Sequence, residues 1–117
     1  MTIPQLLAAR VEEHGDRTAV VDGDVELTWA ELRREAARFA GGLGAGGVGR
    51  GHRVAIWHPN AVEWVVAVLG IWHAGAALVP VNTRFKGTEA AEVLRRSGAR
   101  ALLTTRSFLG TDYVAML

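Results

Sequence analysis

Apolar residues recur along this chain with a period that changes from helical to strand-like and back. Over Ile3–His14 they fall on one helical stripe, and Thr2 with Gln5 has the spacing of a capping box. Residues 18–21 and Val25–Thr28 are short runs of β-favouring residues on either side of an Asp-Gly-Asp turn. These patterns predict an amino-terminal helix followed by a β-hairpin.

A second helix is predicted from Thr28 onwards. Thr28 and Glu31 form another capping-box pair. The arginines of this segment fall opposite its apolar positions, which are Leu32, Ala36, Phe39 and Leu43. Because glycine is frequent over 41–51, we expect the helix to end at Gly41 and to be followed by a glycine-rich turn.

A strand, an apolar helix and a second strand are predicted next. Residues 53–57 have the composition of a strand, and Asn60 with Glu63 is the expected cap pair of the helix. This helix is apolar nearly all round, so we expect it to be buried. Gly75 ends it, and 77–81 is predicted to be a buried strand.

The pattern then repeats towards the end of the chain. Thr88 is expected to open a helix that ends at Gly98, 101–105 to form a strand, and 107–117 to begin another helix. Strands that alternate with helices indicate a parallel sheet with right-handed crossovers. The predicted fold is therefore α/β, a mainly parallel sheet with flanking helices and an amino-terminal hairpin.

Composition and charge narrow the possible functions. The 117 residues allow one domain or part of one, and 13 basic against 12 acidic side chains leave a net charge of +1. We therefore expect no nucleic-acid partner. The chain has no cysteine, which excludes disulfides and thiolate chemistry. The apolar run 61–81 contains Glu63 and Pro80, so a buried helix and strand are expected rather than a membrane span. Without a signal-peptide pattern at Met1, a cytoplasmic location is expected.

Two motifs suggest chemistry but lack the required context. Residues 42–47 match G-x-G-x-x-G, yet a helix precedes them and a strand follows, the reverse of a dinucleotide-binding loop. A helix end and turn is the favoured interpretation. The four histidines form no close pair with metal-ligand spacing, so no metal site is predicted. Three tryptophans are expected in the core, namely Trp57, Trp64 and Trp72.

The residues after the strand 77–81 form the candidate site. Asn82, Thr83, Arg84 and Phe85 follow that strand at its carboxyl end, where ligands of parallel sheets bind. The alternative is a polar surface loop with a solvated arginine.

Several segments, in this order and spacing, resemble the start of the AMP-forming acyl-CoA synthetase family. They are Asp-Arg-Thr-Ala-Val at 16–20, Leu-Thr-Trp-Ala-Glu-Leu at 27–32, Arg-Val-Ala-Ile-Trp at 53–57, Pro-Asn at 59–60, Glu-Trp at 63–64, His-Ala-Gly-Ala-Ala-Leu-Val-Pro-Val-Asn at 73–82 and Ser-Gly-Ala-Arg at 97–100. Trp29 stands where the family usually has tyrosine, and His73 where it often has lysine. Residues 54–57 with 82–85 are similar to actinobacterial ligases that act on acyl remnants of steroid breakdown.

The resemblance implies a two-step reaction. A carboxylic acid and ATP give acyl-AMP and pyrophosphate, and the CoA thiol then displaces AMP. It implies ATP, Mg and CoA as cofactors of the intact enzyme, none of them bound tightly by these residues alone. It also implies that Asn82, Thr83 and Arg84 border the nucleotide end of the CoA site. The family's phosphate-binding loop and its lysines have no counterpart here, so no catalytic residue is assigned and the chain alone is expected to be inactive.

The resemblance identifies residues 1–117 as the amino-terminal part of the large N-terminal domain of such a ligase. Two alternatives remain open at this point. In the first alternative, the intact enzyme transfers the acyl group to a carrier-protein thiol instead of CoA. In the second, the chain is a non-catalytic module that docks on a separate ligase chain. Because the last strand and the apolar helix both need cover, we expect the chain to self-associate or to associate with the rest of the enzyme.

Overall fold

The structure is a computed structural model that describes residues 1–105, 107–108 and 111–112. Its helices are α1 (Ile3–His14), α2 (Trp29–Ala45), α3 (Val62–His73) and α4 (Gly87–Ser97). Its strands are β1 (Thr18–Asp22), β2 (Val25–Thr28), β3 (Arg53–Trp57), β4 (Ala77–Pro80), β5 (Ala101–Thr104), β6 (Ser107–Phe108) and β7 (Thr111–Asp112). The predicted hairpin is formed by antiparallel pairing of β1 with β2. Within the described residues no helix is both long and apolar enough to cross a membrane.

Strand β3 is the centre of a three-stranded sheet, with β4 on one side and β5 on the other. Both pairings are parallel, as the sequence predicts. Alternate residues of β3 point to opposite faces of the sheet. Val54 and Ile56 pack in one core cluster with α3, whereas Ala55 and Trp57 pack in a second cluster with α4. The two crossover helices therefore cover opposite faces of the sheet.

Helix α2 runs past the point at which the sequence predicts its end. It continues through Gly41 to Ala45, and the chain turns only at Gly46 and Gly47, where Gly47 adopts a φ of +79°. Leu43 packs against the core cluster beneath α3. This tertiary contact outweighs the low helix propensity of the glycines, about 1 kcal/mol each. The expected end of the helix at Gly41 is therefore wrong.

The cap of helix α3 comes from a distant part of the chain. The sequence predicts Asn60 with Glu63 as the cap pair, but the N-cap residue is Ala61, which has no side chain able to cap. Instead, Asp22 at the end of β1 accepts a hydrogen bond of 3.0 Å from the Val62 amide through Oδ2. A carboxylate at this position also interacts favourably with the positive end of the helix dipole. The hairpin is thereby tied to the start of α3.

We expect Asp22→Ala to destabilise the protein by about 0.5–2 kcal/mol, the usual effect of removing a cap. Asp24 lies in the exposed turn of the same hairpin, so Asp24→Ala is a matched control and is expected to have little effect. Asp22→Asn keeps an acceptor and should recover most of the loss. Urea denaturation measures all three variants, and equal destabilisation by Asp22→Ala and Asp24→Ala would contradict the proposed role of the Val62 hydrogen bond.

The capping boxes of α1 and α2 are present as predicted. The pKa of Glu31 is lowered below its ordinary 4.5. The main causes are its hydrogen bond with the Thr28 backbone and, second, its hydrogen bond with the Thr28 side chain. Because the folded-state pKa is lowered, this stabilisation is present above pH 4.5 and is lost as the pH falls through the lowered pKa. Local sequence therefore determines where these two helices begin.

The last helix and the end of the chain differ from the sequence-based expectation. Helix α4 begins one residue earlier than Thr88, and its N-cap residue Lys86 donates its amide to Glu89 Oε1 at 3.4 Å. Its end is as predicted, at Gly98 with a φ of +68°. The expected helix over 107–117 is wrong where the structure describes that segment, because β6 pairs with β7 there as two short antiparallel strands.

Candidate functional site

The carboxyl edge of the sheet is where the candidate site lies. The chain leaves β3 towards α3 on one face and leaves β4 towards α4 on the other. Adjacent parallel strands whose connections leave in opposite directions create a crevice at their carboxyl ends, the usual ligand position in open α/β sheets. The residues next to this crevice are Trp57 at the end of β3, His58 after it, and Asn82 after β4.

The loop after β4 is held to the core by its backbone. The Asn82 carbonyl accepts a hydrogen bond of 3.1 Å from the indole Nε1 of Trp57 and another of 3.0 Å from the Phe85 amide. Trp57 is fully buried, so its indole is a rigid anchor for the loop. Within the loop, the Asn82 side-chain Oδ1 accepts from the Arg84 amide at 2.9 Å, which forms an Asx turn. The loop therefore has a defined backbone shape.

The polar groups of this loop are available to a ligand to different degrees. Asn82 and Arg84 are exposed, and Thr83 is half-buried. Within residues 1–105 no carboxylate forms a salt bridge with Arg84. The guanidinium consequently keeps its donors for an anion outside the described residues. The structure thus brings together the three residues that the sequence singles out, at the expected edge of the sheet.

Two further polar residues at this edge are missed by the sequence analysis. The Nδ1 of His58 lies 2.7 Å from the Pro59 carbonyl oxygen. Because a carbonyl only accepts, Nδ1 carries the hydrogen, and in the neutral imidazole Nε2 is then the acceptor. Thr104, at the end of β5, donates its hydroxyl to the Trp57 carbonyl at 2.8 Å. Both residues lie at carboxyl ends of strands, which is the same signal that identifies Asn82.

The remaining motifs have structural roles. The glycines over 42–47 form the end of α2 and its turn, in agreement with the helix-end interpretation. Trp57 is buried, and Trp64 and Trp72 are half-buried against the core beneath α3. In the described part of the chain no three histidine or carboxylate side chains lie close enough to hold a metal ion.

Comparison with known proteins identifies the family to which this arrangement belongs. A family model described as AMP-binding enzyme matches residues 7–116, nearly the whole chain. The chain belongs to the AMP-binding enzyme family. The recognition drawn from the sequence motifs is thereby confirmed.

Among relatives of this AMP-binding chain are two bacterial acyl-CoA ligases. Both are methyl-dioxo-octahydroindenyl-propanoyl:CoA ligases, one from Rhodococcus jostii and one from Mycobacterium tuberculosis, and each is 47% identical over 116 residues. The match covers 99% of this chain but only 22% and 23% of the relatives. The human medium-chain acyl-CoA ligase is 34% identical over 118 residues and is covered to 19%. The chain therefore spans about a fifth of the length of these relatives.

Solved structures of adenylate-forming enzymes share the fold of this AMP-binding chain. The N-terminal domain of FACL13 from Mycobacterium tuberculosis superimposes with a TM-score of 0.85 at 33% identity, covering 89% of this chain and 27% of that one. The anthranilate CoA ligase AuaEII, solved with anthranoyl-AMP, gives a TM-score of 0.85 at 29% identity over 89% of this chain and 20% of that one. The predicted α/β fold, with its parallel sheet and hairpin, is confirmed.

Proposed function

We propose that this chain forms the amino-terminal part of the large N-terminal domain of an AMP-forming acyl-CoA ligase. The observation that carries the proposal is identity of 47% along 99% of the chain with two acyl-CoA ligases. The enzyme uses ATP to convert a carboxylic acid to acyl-AMP and pyrophosphate, and the CoA thiol then displaces AMP. Mg accompanies ATP, and the protein acts in the cytoplasm.

The acid named in the two most informative relatives suggests the substrate class. Their names describe a propanoate attached to a methylated two-ring diketone. We propose a carboxylic acid of this fused-ring type, in agreement with the steroid-breakdown branch that the sequence motifs resemble. A panel of acids tested with the full-length enzyme, including medium-chain fatty acids as the competing class, checks this specificity. A preference for unbranched fatty acids would contradict it.

The loop of Asn82, Thr83 and Arg84 is proposed to lie next to CoA in the intact enzyme. Its position at the crevice between β3 and β4 supports this role, as does the unpaired state of the Arg84 guanidinium within the described residues. A guanidinium presents a planar fork of donors that suits a phosphate group of the CoA nucleotide. The short polar side chains beside it supply further hydrogen bonds.

A carrier-protein thiol is the second candidate for the acyl acceptor. The fused adenylation and carrier-protein di-domain NpsA–ThdA from Klebsiella oxytoca shares the fold, with a TM-score of 0.84 at 25% identity over 95% of this chain and 21% of that one. The higher identity to CoA ligases favours CoA. Thioester formation by the full-length enzyme with CoA and with carrier protein, measured side by side, distinguishes the two acceptors.

The 117-residue chain by itself is expected to catalyse no ATP–pyrophosphate exchange with any carboxylic acid. Adenylation needs donors for the phosphates and a positive charge near the carboxylate. The only lysine is Lys86, whose amide hydrogen-bonds Glu89 at the start of α4, and the chain has no phosphate-binding loop. Exchange is measured with labelled pyrophosphate, with the full-length ligase as the positive control. Activity in the purified chain would contradict the proposed division of the enzyme.

The third possibility, a non-catalytic module that docks on another ligase chain, has a separate test. The 117-residue chain is co-expressed with the part of a relative that follows the matched region. Co-purification of the two polypeptides detects such docking. A stable complex that catalyses exchange would favour the module, whereas activity restricted to a continuous polypeptide favours the single-chain ligase.

A further inference from the structure

The amino edge of the sheet, opposite the Asn82 loop, carries a cluster of positive charge. Arg53 begins β3, and its Nε donates to the Ser97 carbonyl while the guanidinium packs over Gly98. Arg50 lies beside Gly75, where a Cβ built on that glycine would be in van der Waals contact with the Arg50 Cβ at 3.5 Å. Arg100 precedes β5, and its amide bonds the Arg53 carbonyl at 2.8 Å. The three guanidinium groups thus belong to one edge.

No carboxylate neutralises this cluster within the part of the chain that the structure describes. The five salt bridges among residues 1–105 involve Arg10, His14, Arg38, Arg95 and Arg96, and none involves an arginine of the amino edge. The chain as a whole has a net charge of only +1, so this local excess of positive charge is compensated elsewhere on the molecule. An anion from outside is therefore attracted to this edge.

His52 lies within the cluster and has a hydrogen-bonding conflict. Its Nδ1 accepts from the Gly49 amide at 3.0 Å. A neutral imidazole has one acceptor nitrogen, so Nε2 must carry the hydrogen. Yet Nε2 lies 3.4 Å from Nη1 of Arg100, which is also only a donor. Two donors therefore face each other, and neither satisfies the other.

We propose that His52 and Arg100 bind an oxyanion whose oxygen accepts from both donors. An oxygen about 2.9 Å from each nitrogen, the usual hydrogen-bond length, fits between atoms that are 3.4 Å apart. A hollow of about 230 Å³ beside His52 is walled by Gly51, Gly75, Ala76 and Ala77, whose small side chains leave room for the remaining oxygens. Because Arg53 also lines this hollow and adds a further positive charge, a phosphate group with two negative charges is better matched than a carboxylate with one.

The test uses the full-length ligase labelled with ¹⁵N in its histidines. NMR spectra of the imidazole nitrogens identify the hydrogen on Nε2 directly. Inorganic phosphate is then titrated at constant ionic strength, and a saturable shift of the His52 signals is expected. Circular dichroism and urea denaturation check that each variant folds like the unsubstituted chain.

Arg100→Gln is expected to weaken phosphate binding about tenfold, the effect of one charge-assisted hydrogen bond at a partly exposed position. Arg33→Gln removes the same charge from the exposed face of α2 and is expected to leave the affinity unchanged. Arg100→Lys keeps the charge without the planar fork and should fall between the two. His52→Leu provides a second variant that removes the imidazole donor and should weaken binding to a similar extent.

Methyl phosphate, titrated in parallel, distinguishes free phosphate from the terminal phosphate of a larger molecule. Equal affinity for both, or tighter binding of the ester, indicates a site for phosphorylated molecules, and binding of inorganic phosphate alone indicates a site for the free ion. Either result supports the site. The proposal is overturned if no shift saturates, if Nε2 carries no hydrogen, or if Arg33→Gln weakens binding as much as Arg100→Gln.

Discussion

Substitution of Gly70 by valine is expected to unfold much of the protein. Helices α2 and α3 approach each other so closely at this glycine that a Cβ would lie 2.7 Å from Phe39 Cδ1 and 2.9 Å from the Ala36 carbonyl oxygen. The Phe39 ring has some freedom to move, but the Ala36 carbonyl belongs to the helix backbone. Relief of the clash therefore requires the two helices to separate, which disturbs the core between them.

The expected magnitude follows from two opposing effects. Overpacking of a well-packed core costs about 1–3 kcal/mol, and the replacement of glycine by alanine in a helix returns about 1 kcal/mol. Gly70→Ala should therefore be mildly to moderately destabilising. The additional methyl groups of Gly70→Val enlarge the clash without a comparable gain in helix propensity, and we expect a loss above about 3 kcal/mol. Urea denaturation followed by circular dichroism measures both variants.

Gly42 provides the matched control. It also lies inside a helix, but a Cβ built on it meets no heavy atom within 4 Å apart from the neighbouring backbone of its own helix. Gly42→Ala is expected to stabilise the protein by about 0.5–1 kcal/mol, because only the helix propensity changes. If Gly70→Ala stabilised the protein as much as Gly42→Ala, the close approach of α2 and α3 would be wrong.

In the full-length enzyme, Arg84→Ala is expected to raise the KM for CoA about ten- to a hundredfold. A hydrogen bond to a charged group contributes about 1.5–3 kcal/mol, and each 1.4 kcal/mol corresponds to a factor of ten. Because Arg84 is exposed, the lower end of this range is expected. ATP–pyrophosphate exchange should stay unchanged, since CoA takes no part in the first step. Steady-state thioester formation and exchange, measured on the same preparation, test this difference.

Two variants separate a role in CoA binding from a role in folding. Arg84→Lys keeps the charge but loses the two-pronged geometry, so its KM should lie between those of the unsubstituted enzyme and Arg84→Ala. Arg33→Ala removes an arginine from the exposed face of α2 and should change neither step. An unchanged KM for CoA in Arg84→Ala, or equal loss of both steps, would show that Arg84 is not a CoA contact.

The sequence predicts those parts of the fold that depend on neighbouring residues. The capping boxes at Thr2 and Thr28 are local, and both are present. The parallel sheet follows from the alternation of strands and helices, although its strand order does not. The end of α2 was mispredicted because Leu43 is held by a tertiary contact, and the cap of α3 because Asp22 lies 40 residues away from Val62.

The candidate site was predictable in position but not in detail. The carboxyl end of a buried strand directs attention to Asn82, Thr83 and Arg84, and the structure places their loop at the crevice between β3 and β4. The hydrogen bond from the Trp57 indole to the Asn82 carbonyl joins residues 25 positions apart, and no local pattern indicates it. The contact of His52 with Arg100 spans 48 positions and is hidden from the sequence for the same reason.

The central position of β3 has a consequence for synthesis on the ribosome. Both of its partners lie later in the chain, since Arg53 pairs with Ala77 and Val54 pairs with Ala101. At about 5–20 residues per second, roughly 2–10 seconds pass between synthesis of the central strand and synthesis of its second neighbour. Until β4 is synthesised the apolar segment 54–57 has two open edges, and until β5 is synthesised it still has one, so this segment of the nascent polypeptide is exposed to aggregation and benefits from a chaperone.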